Sequence, residues 1–328
     1  MTANIKILPS GHEYTSEKGE SILEAGLRHG KALDYSCNNG SCGECKARLV
    51  SGQIEKSHHF DYQFSREEKR NGTVLLCCMS ATEDVVLEAH ESDEAQDIPH
   101  QKINAKISKI DRVTDDWVVL EVKTPRTQSL RFLAGQQVTL NFDGLPLRNK
   151  SIASCPCNGR QLHFHIHRSG GVFSDYVFND LKRSAAITIE GPEGEFVMND
   201  DTTAPLLFLA FDAGFAPMKS LIEHAFALEL EQPLKLFWLS SEPLPYLHKE
   251  CRAWADAMDN FTFEVIATPS MGDILPNMEK VVKGIKNFTD HEIYMTLPHT
   301  LIEKASKCCA GAGLAPGQLK VDRLERHL

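Results

Sequence analysis

The chain has 328 residues, enough for two or three domains that each bury a core. Its formal net charge of −10, at 42% hydrophobic content, describes a globular protein whose acidic surface argues against nucleic acid and anionic membrane as partners. Ten cysteines follow a start, "MTANIKILPSGHEY", with no basic-then-apolar leader, so a cytoplasmic compartment is expected, where clustered thiols more often ligate metal than pair as disulfides.

"NIKILPSGHEYTSE" alternates through Ile5, Ile7 and Tyr14 and predicts a hairpin turning at Pro9-Ser10-Gly11. "GESILEAGLRHG" predicts a short helix, with Ser21 and Glu24 as a capping box and Gly30 as the stop. A cysteine-rich loop follows, then "KARLVSG" and "VLLCCMS" as strands, so a sheet wrapped around one helix is expected.

The loop reads Cys37-x4-Cys42-x2-Cys45, with Cys77 downstream, which is the spacing of plant-type [2Fe–2S] ligation. Short spacers hold three sulfurs in one turn. Gly40, Ser41 and Gly43 are small enough for backbone N–H groups to point at sulfur. The alternative is a four-cysteine zinc site, but such sites usually carry two C-x2-4-C knuckles and only one is present. The fourth ligand lies between Cys77 and Cys78. Strand alternation favours Cys77 and turns Cys78 into packing or solvent.

"HESDEAQDIPH" is polar, acidic and ends in proline, which predicts a linker over 93–100 after a first domain of 1–92. Over 101–202, "INAKISKID", "WVVLEVKT", "QQVTLNF", "QLHFHIH" and "AAITIEGP" predict an antiparallel β-barrel interrupted by one helix, "VFSDYVFNDL". From 203 to 328 strands alternate with helices: "PLLFLAF", "PLKLFWLS", "FTFEVIAT", "HEIYMTL" and "QLKVDRL" are the strands of a mostly parallel sheet. The longest apolar run, 205–211, is far short of a membrane span, so no membrane insertion is expected. The fold class is therefore multidomain, α+β then barrel then α/β.

Residues 1–90 resemble a plant-type ferredoxin domain of β-grasp fold, on "ESILEAGLRHG", "SCNNGSCGECKARLVSG" and "VLLCCMS". The whole chain resembles the ferredoxin-plus-reductase family, which includes phenol hydroxylase and methane monooxygenase reductases and CDP-6-deoxy-3,4-glucoseen reductases. The resemblance implies FAD on the barrel. The family's Arg-x-Tyr-Ser/Thr falls on "LRNKSIAS", placing Arg148 at the pyrophosphate, Lys150 where a tyrosine stacks on the flavin, and Ser151 at the flavin ring. Its Gly-x-x-Ser helix start falls on Gly170, Gly171 and Ser174, with Arg168 as a further anion contact. His163, His165 and His167 alternate on the strand before it. They are expected on the barrel surface or beside the flavin rather than on a metal.

In the third domain the resemblance implies an NAD(P)H site at Asp212, Gly214 and Thr296. Three family contacts have changed there. Asp212, after the bulky Phe211, stands at the first glycine of the nucleotide turn. Ser240 and Ser241 stand in the segment of a Gly-x-Arg, and Thr296-Leu297-Pro298 replaces Cys-Gly-Pro. Changes at three points of one footprint predict altered use of that site.

The expected function is a reductase component passing single electrons from flavin through the cluster to a partner such as an oxygenase. Asp34 and Glu44 would orient a basic partner. The alternative is a ferredoxin-type carrier or assembly component with a degenerate reductase half, its old nicotinamide surface serving as an interface that could include Phe211 and Phe215.

Overall fold

Ile5 and Ile7 face inward from β1 (Ala3–Leu8), which pairs antiparallel with β2 (Glu13–Ser16) through the expected hairpin. The computed structural model describes residues 2–91, 95–125 and 127–324. Helix α1 (Ile22–Arg28) begins on the capping box. Ser21 Oγ accepts from the Glu24 N–H at 3.2 Å, and the Glu24 carboxylate accepts from the Ser21 N–H at 3.2 Å. Strands β3 (Lys46–Ser51) and β4 (Ile54–Lys56), helix α2 (Arg66–Arg70), and strands β5 (Thr73–Leu75), β6 (Met79–Ala81) and β7 (Val85–Glu88) complete the domain. Its main sheet, ordered β2-β1-β7-β3-β5, packs Ile5, Ile7 and Leu87 against Ile22 and Leu23.

One element departs from expectation. "VLLCCMS" is not one strand: β5 stops at Leu75, a single 3₁₀ turn covers Leu76–Cys78, and β6 joins β4 in a separate two-stranded sheet. The Leu76 N–H donates to the Cys45 carbonyl at 3.0 Å and bends the chain towards the cysteine loop. The alternation argument for Cys78 therefore fails; Cys77 and Cys78 are both buried.

Of the expected linker, residues 93 and 94 lie outside the described ones. The rest is not a bare tether. A 3₁₀ turn spans Ala95–Asp97, and Ile98 is buried. Strands β8 (Gln101–Arg112), β9 (Trp117–Lys123), β10 (Gln137–Asn141), β11 (Arg148–Ser151), β12 (Gln161–His167) and β13 (Ala186–Glu193) form one sheet ordered β11-β10-β13-β8-β9-β12, every pair antiparallel. The Ala153 N–H donates to the His163 carbonyl at 2.8 Å and draws the two edges together. Because neighbours alternate in direction around six strands, β11 and β12 also run antiparallel, so Arg148 lies at the His167 end. Helix α3 (Val172–Asn179) leaves from that end and buries Phe173 and Val177 in the barrel core.

The third region is a five-stranded parallel sheet ordered β16-β15-β14-β17-β18. Its elements in chain order are β14 (Leu206–Phe211), α4 (Phe215–Ala227), β15 (Leu234–Ser240), α5 (His248–Ala257), β16 (Phe261–Ala267), α6 (Ile274–Gly284), β17 (Glu292–Pro298), α7 (His299–Gly311) and β18 (Leu319–Leu324). The central strand β14 is apolar throughout and buried throughout, as a strand covered on both faces requires. Among the described residues no helix is long and apolar enough to cross a membrane.

Candidate functional site

The cysteine loop brings its thiols together in pairs. Cys37 and Cys42 Sγ are 3.1 Å apart, and Cys45 and Cys77 Sγ are 3.3 Å apart. Among the described residues no group of three or more His, Cys, Asp or Glu is disposed to hold one metal ion. Two pairs fit two irons with two thiolates each better than one tetrahedral zinc. Backbone donors support the sulfurs: Cys42 N–H to Cys37 Sγ at 3.4 Å, and Glu44 N–H to Cys42 Sγ at 3.4 Å. Burial opposes ionisation of Cys37, but hydrogen bonds from Cys42, Asn39 and Ser41 outweigh it and bring the thiol down to about 6. Cys78 Sγ lies 3.5 Å from Cys77 Sγ, beneath Gly40, where an added Cβ would meet it at 2.6 Å. Cys42 is the exposed member of the set.

On the barrel, Arg148 and Lys150 project from the end of β11 that meets His167. Lys150 and His167 are close enough for the lysine's charge to help lower the imidazole pKa, although burial is the larger cause. His167 Nδ1 is buried with no hydrogen-bond partner. Gly170 adopts φ +71°, open only to glycine without strain, and Gly171 caps α3, its N–H donating to Ser174 Oγ at 3.1 Å. An added Cβ at Gly170 would meet nothing, so the helix end is open to an anion. Large apolar side chains flank it: Leu147 is 58% and Val172 61% exposed. An orphaned imidazole nitrogen, an open helix N-terminus and bare apolar flanks at one place fit a flavin with its phosphates. A cavity of about 880 Å³ opens between the start of β10 and the chain after β13 on one side and β18 on the other, lined by Gln137, Glu195, His299, Lys320 and Arg323 among others.

The strand ends of the α/β sheet are different. Asp212 sits in the turn between β14 and α4 at φ +41°, and both its oxygens are taken by one residue: Oδ1 accepts from the Ser241 N–H at 2.8 Å and Oδ2 from Ser241 Oγ at 2.7 Å. Burial raises the Asp212 pKa and the Ser241 bonds oppose that rise. Thr296 Oγ1 donates to the Gly214 carbonyl at 3.0 Å, and a Cβ at Gly214 would lie 2.2 Å from that oxygen. The three residues expected to hold a dinucleotide are thus in place at the strand ends, but they are bonded within the protein. Phe211 and Phe215 are core, 3% and 0% exposed, so neither serves as an interface.

Residues 5–82 match the 2Fe-2S iron-sulfur cluster binding domain, and 104–198 match the oxidoreductase FAD-binding domain. The chain is 34% identical over 239 residues, 73% of its length and 71% of the relative's, to the CDP-6-deoxy-L-threo-D-glycero-4-hexulose-3-dehydrase reductase of Yersinia pseudotuberculosis serotype I (strain IP32953). The chain belongs to the ferredoxin-linked reductase family. It is also 26% identical, over 96% of both chains, to a ferredoxin–NAD(P)(+) reductase component of the naphthalene 1,2-dioxygenase/salicylate 5-hydroxylase systems of Ralstonia sp.. In fold it is similar to a cytochrome P450 reductase of Amycolatopsis, with a TM-score of 0.62 at 21% identity over 98% of each chain. The cofactors of this reductase are a [2Fe–2S] cluster and FAD.

Sequence reading missed what joins the reductase's parts. Asp34, expected at a partner surface, instead pairs with the buried Arg131 of the barrel and with His90 Nδ1 at 3.1 Å. The Ser129 N–H donates to the Ser36 carbonyl at 2.8 Å, and Asn38 Nδ2 to Ser129 Oγ at 3.3 Å. The segment just before the cluster is thus held on the barrel. Glu44 remains exposed. Between barrel and α/β sheet, Tyr246 stacks on Trp117 at 3.9 Å and bonds His165 Nδ1 at 2.9 Å. His165 is 5% exposed, which rules out the first of its two expected positions, the barrel surface, and burial holds its pKa well below the ordinary value. A lone tyrosine in "SEPLPYLH" carries no signal that could have found this contact.

Proposed function

We propose that this chain is the electron-transfer reductase component of a two- or three-protein system, delivering single electrons to a partner enzyme such as an oxygenase. Its units would be a ferredoxin domain over 1–92, a linker over 93–100, an FAD barrel over 101–202 and a donor-facing α/β domain over 203–328. When bound, FAD accepts electrons in pairs and the cluster passes them on singly. The remaining work belongs to the chain. Cys37, Cys42, Cys45 and Cys77 would hold the cluster. Arg148 and the backbone N–H groups of the first turn of α3 would bind the pyrophosphate, with Gly170 permitting close approach and the Gly171–Ser174 bond fixing the helix start. Lys150 and Ser151 would border the flavin ring. The observation that carries this reading is the docking of residues 34–38 on the barrel through Arg131 and Ser129, which seats the cluster loop against the flavin-binding unit.

The acceptor is proposed from company alone: several relatives are named as oxygenase reductase components, including those of terephthalate 1,2-dioxygenase in Comamonas sp. and phenol 2-monooxygenase in Pseudomonas sp. (strain CF600). The test is photochemical reduction of the protein loaded with FAD, followed by absorbance. Flavin bleaching followed by cluster bleaching supports the reading. A flavin that stays reduced while the cluster stays oxidised refutes it.

A further inference from the structure

We infer that Asp212 and Ser241 act together as a donor-specificity device that closes the N-terminal end of α4 to the phosphates of a dinucleotide. The inference rests on the reductase reading and concerns only which donor reaches the flavin. In an α/β sheet of this kind the anion seat is the turn between the first strand and the following helix, because the helix's free N–H groups converge there. In this chain that turn carries a buried carboxylate. Asp212 is 8% exposed, and both of its oxygens are held by Ser241.

Those bonds and two further contacts make the closure rigid. The residues after β15 are tied to the β14–α4 turn by the same pair of bonds, so two strand ends are clamped across the seat. The third strand end is clamped by Thr296, whose Oγ1 bonds the Gly214 carbonyl with no room for even a methyl group on that glycine. The segment beyond Ser241 cannot swing aside freely, because Tyr246 is stacked on Trp117 of the barrel and bonded to His165. Charge works in the same direction. A carboxylate fixed beside the helix end uses its favourable field and repels a second anion. The two positions are 29 residues apart in sequence and each departs from the family pattern, yet the structure joins them as one bonded unit. A donor that reduces this flavin therefore does so without a pyrophosphate seated at α4.

The experiment uses the full chain carrying FAD and cluster. Binding of ADP-ribose, which cannot donate hydride, is measured by calorimetry, and reduction by NADH is measured separately in a stopped-flow instrument. The variants are Asp212→Asn, which keeps the shape and removes the charge, and Asp212→Gly combined with Ser241→Arg. The wild type is expected to give no micromolar binding, the asparagine variant a gain of about tenfold, and the double variant a gain of about a hundredfold, judged against the energy of one charge contact. Faster flavin reduction by NADH should accompany the gain. Micromolar binding of ADP-ribose to the wild type would overturn the inference. So would unchanged affinity in both variants when their cluster and flavin spectra match the wild type. Photochemical reduction of flavin and cluster, run on the same samples, reports separately on the reductase reading.

Discussion

Gly43 lies between two cluster cysteines at φ +82°, and a Cβ added there would fall 2.2 Å from Tyr62 Cε2 and 2.7 Å from Cζ. The ring has little freedom to retreat. Its hydroxyl accepts from Lys46 Nζ at 3.1 Å and donates to Glu68 at 3.2 Å, and its edge meets Phe64 at 5.2 Å between centroids. For Gly43→Ala, the left-handed backbone costs about 1 kcal/mol, and forcing the ring aside costs about 1–3 kcal/mol more. The sum, about 2–4 kcal/mol on a domain of this size, corresponds to a fall of roughly 10–30 °C in the temperature at which the cluster is lost. The assay is cluster absorbance followed on heating. Tyr62→Ala removes the obstacle, so in that background Gly43→Ala should cost only the backbone share, about 1 kcal/mol. Equal losses in the two backgrounds, or none in either, would refute the reasoning.

Cys78→Ala should keep the cluster while Cys77→Ala loses it, as read by visible absorbance and iron content; the reverse result would move the fourth ligand. Arg131→Met removes a buried cation from Asp34 and should weaken docking by about 1–3 kcal/mol. It should slow transfer from flavin to cluster after flash reduction without changing FAD content, and an unchanged rate would show that docking does not depend on this pair. His12 bonds Glu91 at 3.0 Å and Asp201 at 3.2 Å. Burial lowers its pKa, but the two carboxylates outweigh burial and raise it above the ordinary 6.5. A raised histidine contributes stability that is fully present below about pH 6.5 and lost as pH climbs through the folded value. Protection of β2 from hydrogen exchange should therefore decline across neutral pH, and His12→Gln should flatten that decline; a profile identical to wild type would exclude the link.

The features legible in the sequence were those set locally. The Ser21–Glu24 box needs only residues three apart, and the cysteine spacing is dictated by the geometry of the group it holds. Parallel and antiparallel sheets were distinguishable because strands follow one another closely up to β13, whereas from β14 on a helix stands between successive strands and must carry the chain back across the sheet. What escaped were pairings made by distant residues. Asp34 meets Arg131 across 97 positions and Asp212 meets Ser241 across 29. From sequence each acid read as a lone charge, one aimed at a partner and one aimed at a phosphate. The turn at Leu76–Cys78 was hidden for the same reason: "VLLCCMS" has strand composition, and the bond that bends it comes from Cys45.

The cluster loop has two unlike ends. Residues 34–38 are fastened to the barrel, while Cys42, further along the same loop, is open to solvent. On the proposed electron-transfer reading, electrons would enter a loop already fastened to the barrel and leave it through the solvent-facing Cys42. A partner that reaches Cys42 need not pry the ferredoxin domain from the flavin domain, so loading and unloading can alternate with the carrier standing still. On that reading the pace of turnover would be set by how fast partners come and go at Cys42, and no shuttling of the ferredoxin domain between two stations would be required.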